Sequence, residues 1–131
     1  DGFYDVQKAN GTNLRAQFHA DTQGKFWFRA VRPASYPVPT DGPVGKMLQA
    51  TKRHAMRPGH LHFVVSAPGH ERLVTHLFIN GDPYLESDAV FAVKESLVVD
   101  CARIEAPQEA RQYQVEAPFY HLHYDFVLKP A

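Results

Sequence analysis

The amino-acid sequence predicts an all-β fold, a sandwich or barrel with long loops and little helix. Three observations carry this. Some six short runs have strand character, turn signals separate them at short intervals, and ten prolines leave little room for regular helix. Residues 13–19 alternate, with Leu14, Ala16 and Phe18 on one side and Arg15, Gln17 and His19 on the other. Asp21-Thr22-Gln23-Gly24 is a turn, and Lys25–Val31 returns as a second strand, which predicts a hairpin. The loop Arg32–Gly45 carries four prolines and is neither regular helix nor central strand; its length suggests a functional role. A short helix is expected over Pro43–Thr51. Leu61–Ser66 and Arg72–Ile79 are strands stopped by Ala67-Pro68-Gly69 and Asn80-Gly81-Asp82-Pro83. Ser96–Ile104 is β-branched and apolar like a buried strand, and Phe119–Leu128 alternates Phe119, His121, His123 against Tyr120, Leu122, Tyr124.

The 131 residues suit one domain able to bury a core without a staple. Fourteen Lys and Arg balance fourteen Asp and Glu, and no long charged run occurs. That argues against nucleic acid or an anionic membrane surface as partner. No apolar stretch approaches a membrane span, and no signal peptide is recognisable. The single Cys101 excludes an internal disulfide and a Cys-rich zinc or iron–sulfur site, and fits a cytoplasmic location. The chain starts at Asp1 without Met, as a fragment or processed product would.

Eight His and six Tyr are many for this length. Two His-x-His pairs occur, His60/His62 and His121/His123. Alternate residues of a strand share a face, so either pair could supply half of a metal site. Context separates them. His60 and His62 follow the stiff Arg57-Pro58-Gly59 turn, soon after a proline loop centred on Tyr36. His121 and His123 lie among Phe119, Tyr120, Tyr124 and Phe126, an aromatic core strand. The first pair is therefore the functional candidate and the second structural. Imidazoles alone suit zinc, copper or iron; adding phenolates favours a hard, strongly acidic cation, for which ferric iron is the natural choice.

The chain resembles the intradiol ring-cleaving dioxygenases, non-haem ferric enzymes that open catechols between the two hydroxyls. The matching runs are Asp1–Gln7, Asn13-Leu14-Arg15, Val31–Gly45, Arg57–Gly69 (RPGHLHFVVSAPG) and Thr75–Leu85, in the family's order. The resemblance implies an Fe(3+) cofactor held by Tyr4, Tyr36, His60 and His62, with Tyr36 the ligand that moves. It places Arg57 where negative charge builds on the substrate ring. His76 stands where catechol dioxygenases usually carry Gln, and it looks like the hydroxyquinol branch, as does the loop Tyr36–Pro43. His76 is then a candidate contact for an extra ring hydroxyl. Val38, Pro39 and Thr40 are candidates for the pocket wall, because they follow Tyr36 immediately.

The implied reaction is cleavage of hydroxyquinol with O2 to maleylacetate, with Arg57, Tyr36 and His76 as the catalytic set. Catechol and chlorocatechol 1,2-dioxygenases are the alternatives within the family. A non-catalytic metal- or ligand-binding sandwich is the alternative of another class, and a cupin-like enzyme using both His-x-His pairs ranks last. Family members begin with a helical dimerisation segment followed by the first strands. Neither has a counterpart here, so residues 1–131 are expected to be the catalytic part of a longer sandwich, with a homodimer expected from the family.

Overall fold

The structure, a computed structural model, describes residues 14–131. The chain divides into two compact units, Asp1–Arg32 and Pro33–Ala131.

In the first unit the expected hairpin forms its turn but not its ladder. The Asp21 carboxylate accepts the backbone N–H groups of Gln23 (2.8 Å) and Lys25 (2.9 Å), and Asp21 and Lys25 exchange one backbone bond. Neither 14–20 nor 25–31 is a strand. Leu14, Phe18, Trp27 and Val31 are all exposed and Phe28, stacked on Phe18 at 5.0 Å, is only half-buried, so the apolar burial among the described residues of this ribbon is small against the entropy of ordering it.

In the second unit the proline loop opens with a two-residue strand, β1 (Tyr36–Pro37), paired antiparallel with β2 (Met56–Arg57). Between them α1 (Pro43–Ala50) starts on a proline, whose missing N–H costs nothing at a first helical position. Its Gly45 lies so close to the Thr40 carbonyl that a Cβ would overlap it, and this contact fixes the loop against the helix. The main sheet runs β3 (His60–Val65), β4 (Leu73–Ile79), β5 (Val98–Val99), with β4 central, β3 antiparallel and β5 parallel to it. Both β3 and β4 lie within one residue of the expected runs.

The strand expected over Ser96–Ile104 is broken. Glu95–Leu97 is a 3₁₀ turn, β5 pairs with β4, and the chain then changes sheet at Asp100-Cys101. The Asn80 amide, donating to Asp100 at 2.7 Å, anchors the change. β6 (Ala102–Ile104) then pairs with β7 (Phe119–His121). Only these three residues of the run Phe119–Leu128 join a ladder, yet the alternation persists: Leu122, Tyr124 and Phe126 all pack on the core of Leu77, Ile79 and Val99. A helix not expected from the sequence, α2 (Pro107–Gln112), connects β6 to β7; it too begins on a proline. Among the described residues no helix is long and apolar enough to cross a membrane.

Candidate metal centre

The register of β3 against β4 builds the site. His62 lies opposite His76 and His60 opposite Phe78, so all four side chains share one face of the sheet. Ring centroids are 4.2 Å apart for His62 and His76, 4.9 Å for His60 and His62, and 5.3 Å for His60 and His76. One ligand atom from each imidazole falls within 4.8 Å of the other two. Pairing of β1 with β2 then places Tyr36 opposite Arg57 and brings both to His60. The Tyr36 hydroxyl is 3.5 Å from His60 Nε2, and Arg57 Nη1 is 3.3 Å from it.

Pro58 sets the chemistry of His60. Its carbonyl lies 2.7 Å from His60 Nδ1, so that nitrogen carries the proton and Nε2 turns a lone pair towards His62 Nε2, 3.2 Å away. A donor on the far nitrogen is the arrangement that orients metal-bound histidines. Burial disfavours the imidazolium form of His60, and the Arg57 and His76 charges disfavour it further, against the Pro58 bond. His62, although partly open to solvent, is pushed down to about 4, first by desolvation and then by the repulsion an imidazolium there would meet from His76 and His60, were they protonated, and from Arg57. Desolvation and then Arg57 lower His76 as well. Three imidazoles held largely neutral, with a phenol beside His60, form a donor set that a transition-metal cation fits, the phenol giving up its proton on binding.

The cation of Arg57 does not stand alone. Its side chain is 7% exposed and pairs with that of Asp88, 2% exposed, at 3.0 Å. Burial alone would lower the guanidinium pKa, but the hydrogen bond and charge of Asp88 outweigh it and hold Arg57 above its ordinary value. For Asp88, burial acts upwards, and Arg57 together with the Ala92 and Val90 N–H groups outweighs it, so the carboxyl titrates below its ordinary value.

Of the residues singled out in the sequence, Tyr36, Arg57, His60, His62 and His76 come together. Tyr4 lies outside the described residues. Val38, Pro39 and Thr40 continue the loop beyond Tyr36; Val38 is half-buried and bonded to the Ala55 carbonyl, the other two are exposed, and none makes a hydrogen bond or ring contact with the imidazoles. His121 packs its ring near Tyr113, and His123 is exposed beside Asp125, so the second His-x-His pair takes no part. Asp88 was not legible in the sequence: a lone acidic residue 31 positions after Arg57 carries no local pattern.

The family model described as "Dioxygenase" matches residues 1–130. Hydroxyquinol 1,2-dioxygenase of Rhizobium sp. (strain MTP-10005) is 49% identical over 98% of this chain and 45% of its own length. Catechol 1,2-dioxygenase of Candida albicans is more distant, 38% identical over 97% of this chain and 42% of its own. The solved structure of hydroxyquinol 1,2-dioxygenase from Pseudomonas putida DLL-E4 superposes with a TM-score of 0.86 at 45% identity, covering 96% of this chain and 44% of that one. The chain thus spans under half the length of these relatives. With the family model matched almost end to end and a strand-rich fold superposing on a solved relative, the chain belongs to the intradiol ring-cleavage dioxygenases.

Proposed function

We propose that this chain carries the iron centre of an intradiol dioxygenase that cleaves hydroxyquinol with O2 to maleylacetate. The observation that carries the proposal is the convergence of neutral His60 and His62 nitrogens with the Tyr36 hydroxyl at one point, beside an oriented Arg57. His60, His62, Tyr36 and Tyr4 would hold Fe(3+), whose charge two phenolates and a hydroxide would balance. Bound there, the ion supplies Lewis acidity that favours the ionised diol and its reaction with dioxygen at a ring carbon.

The remaining chemistry belongs to the protein. Ionising the diol releases two protons, of which the Tyr36 phenolate would take one and the hydroxide the other, since Tyr36 sits on the proline loop while β3 and β4 keep the imidazoles fixed. Arg57 presents Nη1 towards the site as a preorganised positive charge for the electron density that builds on the ring; one such donor contributes about 3 kcal/mol in comparable sites. His76, on the same face and half-buried, can exchange a hydrogen bond with the third hydroxyl of hydroxyquinol, while Val38, Pro39 and Thr40 would line the approach from the loop. Support for hydroxyquinol over catechol comes from His76 and from the higher identity to hydroxyquinol 1,2-dioxygenases than to catechol 1,2-dioxygenases.

The test is a side-by-side assay of ring opening on hydroxyquinol, catechol and chlorocatechols with iron-loaded protein, for the wild type and His76→Gln. Hydroxyquinol should be preferred by the wild type, and His76→Gln should shift the kcat/KM ratio towards catechol. An unchanged ratio removes His76 from the specificity argument. A colourless, fully iron-loaded protein, lacking the red phenolate-to-iron absorption that Tyr36→Phe should diminish, refutes the ligand set.

A further inference from the structure

The guanidinium of Arg57 has two edges, and the structure uses them differently. One edge meets a carboxylate: Nε donates to Asp88 Oδ1 at 3.0 Å and Nη2 to Oδ2 at 3.4 Å. The other edge carries Nη1, which lies 3.3 Å from His60 Nε2. A side-on pair of this kind fixes the plane of the guanidinium as well as its position, which a single contact would not do.

Asp88 is itself held. Its Oδ2 accepts the Ala92 N–H at 2.9 Å and its Oδ1 the Val90 N–H at 3.4 Å, so the carboxylate cannot turn without breaking backbone bonds. The turn that presents it is tied to the segment carrying Arg57 at three further points. The Ala89 N–H donates to the Met56 carbonyl (3.1 Å), Arg53 Nη2 donates to the Asp88 carbonyl (3.1 Å), and the Arg53 guanidinium covers the Phe91 ring at 3.8 Å. Phe91 is held at φ +55, a conformation a bulky residue adopts only where its surroundings require it. His54 adds a fourth tie, 2.9 Å from Ser87 Oγ. Its Nδ1 accepts the Met56 N–H, so Nε2 carries the proton and donates; the pair is a tether and not an activated nucleophile.

We propose that Asp88 is a positioning residue for ring cleavage: it locks the far edge of Arg57 so that Nη1 faces the reacting ring. The proposal rests on the intradiol reading given above. Asp88 does not touch the imidazoles; it acts through Arg57. A guanidinium without this partner would keep its charge but lose its orientation, and preorganisation is what gives such a charge its catalytic effect.

The test compares iron-loaded wild type, Asp88→Asn, Arg57→Gln and the double variant. Asp88→Asn should lower kcat at least about tenfold, a loss within the range for a mis-set electrostatic group. The dissociation constant of the diol, read from its perturbation of the visible phenolate-to-iron band, should change little. In the Arg57→Gln background the same change should leave kcat nearly untouched, because its target is gone. Should Asp88→Asn not fold or hold iron, Asp88→Glu, which keeps the carboxylate but moves it by one methylene, is compared in the same two backgrounds, with a smaller but still non-additive loss expected. Undiminished kcat in an iron-replete Asp88 variant, or losses that multiply in the double variant, overturn the proposal while leaving the intradiol reading intact. A wild type that holds iron yet opens none of the diols overturns both.

Discussion

Replacing Gly59 by Ala tests how tightly the two halves of the candidate metal centre are coupled. Gly59 joins the Arg57-bearing β2 to the His60-bearing β3, and its backbone lies against the start of the proline loop. A Cβ there would sit 2.8 Å from the Pro33 carbonyl oxygen, 3.0 Å from its carbon and 3.2 Å from the Ala34 carbonyl carbon. Ordinary contact begins at 3.4 Å, so the two segments must part by roughly 0.6 Å. Every atom met is backbone, and no rotamer change can absorb the clash. Gly59 cannot be the part that moves, because its N–H donates to Asp82 Oδ2 (2.8 Å) and its carbonyl accepts the Ile79 N–H (3.0 Å). The displacement therefore falls on the loop that carries Tyr36, three residues beyond Pro33, and the 3.5 Å approach of the Tyr36 hydroxyl to His60 opens. Overpacking of this kind costs about 1–3 kcal/mol. A misplacement of half an ångström at a reacting group costs on the order of tenfold in rate, given about a hundredfold for a full ångström. Thermal unfolding of the Gly59→Ala protein measures the first effect; kcat and the intensity of the phenolate-to-iron band measure the second. Wild-type values for all three would show that the loop is compliant here and would refute the coupling.

Leu77→Ala should destabilise the chain by about 2–5 kcal/mol in urea unfolding, because Leu77 is fully buried at the centre of the core and its removal leaves a cavity. His121→Ala should retain iron stoichiometry and colour in metal analysis; loss of metal would revive a four-histidine site. The metal-free protein should lose stability as pH falls from about 6.5 towards 4: the unfolded chain takes up protons on His62 near 6.5, the folded chain only near 4, so unfolding binds protons throughout that window. His60 and His76 act in the same direction, and iron loading, which keeps its ligands deprotonated in the folded state alone, should steepen the fall; a metal-free protein equally stable at both ends would contradict the lowered imidazoles.

What was legible in the sequence follows from where the information is local. The strands β3 and β4 could be located because their apolar positions and stop signals lie within the strands themselves. The His60/His62 pair could be ranked above His121/His123 because a stiff turn precedes it. The ladder expected between residues 13–19 and 25–31 is absent among the described residues because alternation specifies a strand only where one face is buried, and here Trp27 at 70% exposure and Leu14 at 69% stay largely in solvent. The Ser96–Ile104 run has strand composition throughout, but its division between two sheets is decided by partners distant in sequence, β4 and β7. Asp88 was invisible for the same reason: its role exists only once β2 and the turn after Ser87 are in contact. His76 was recognised through the family resemblance, yet its proximity to both other imidazoles comes from the register, which no single strand reveals.

That register also explains how one pair of strands serves both stability and chemistry. On β4, Leu77 and Ile79 point into the core while His76 and Phe78 point to the opposite face. Phe78 belongs to the site face but is wholly buried, and its ring lies 5.4 Å from His60 and 5.7 Å from His76. It forms an apolar floor beneath the imidazoles, and withdrawal from water is the largest contribution holding His60 and His76 neutral. Slipping β4 by one residue would carry His76 and Phe78 into the core and expose Leu77 and Ile79. The same burial that stabilises this register therefore selects the one pairing in which three neutral imidazoles share a face with their floor. Hydrophobic alternation along β4 thus sets the imidazole part of the candidate metal centre, while β1 and β2 bring Tyr36 and Arg57 to it.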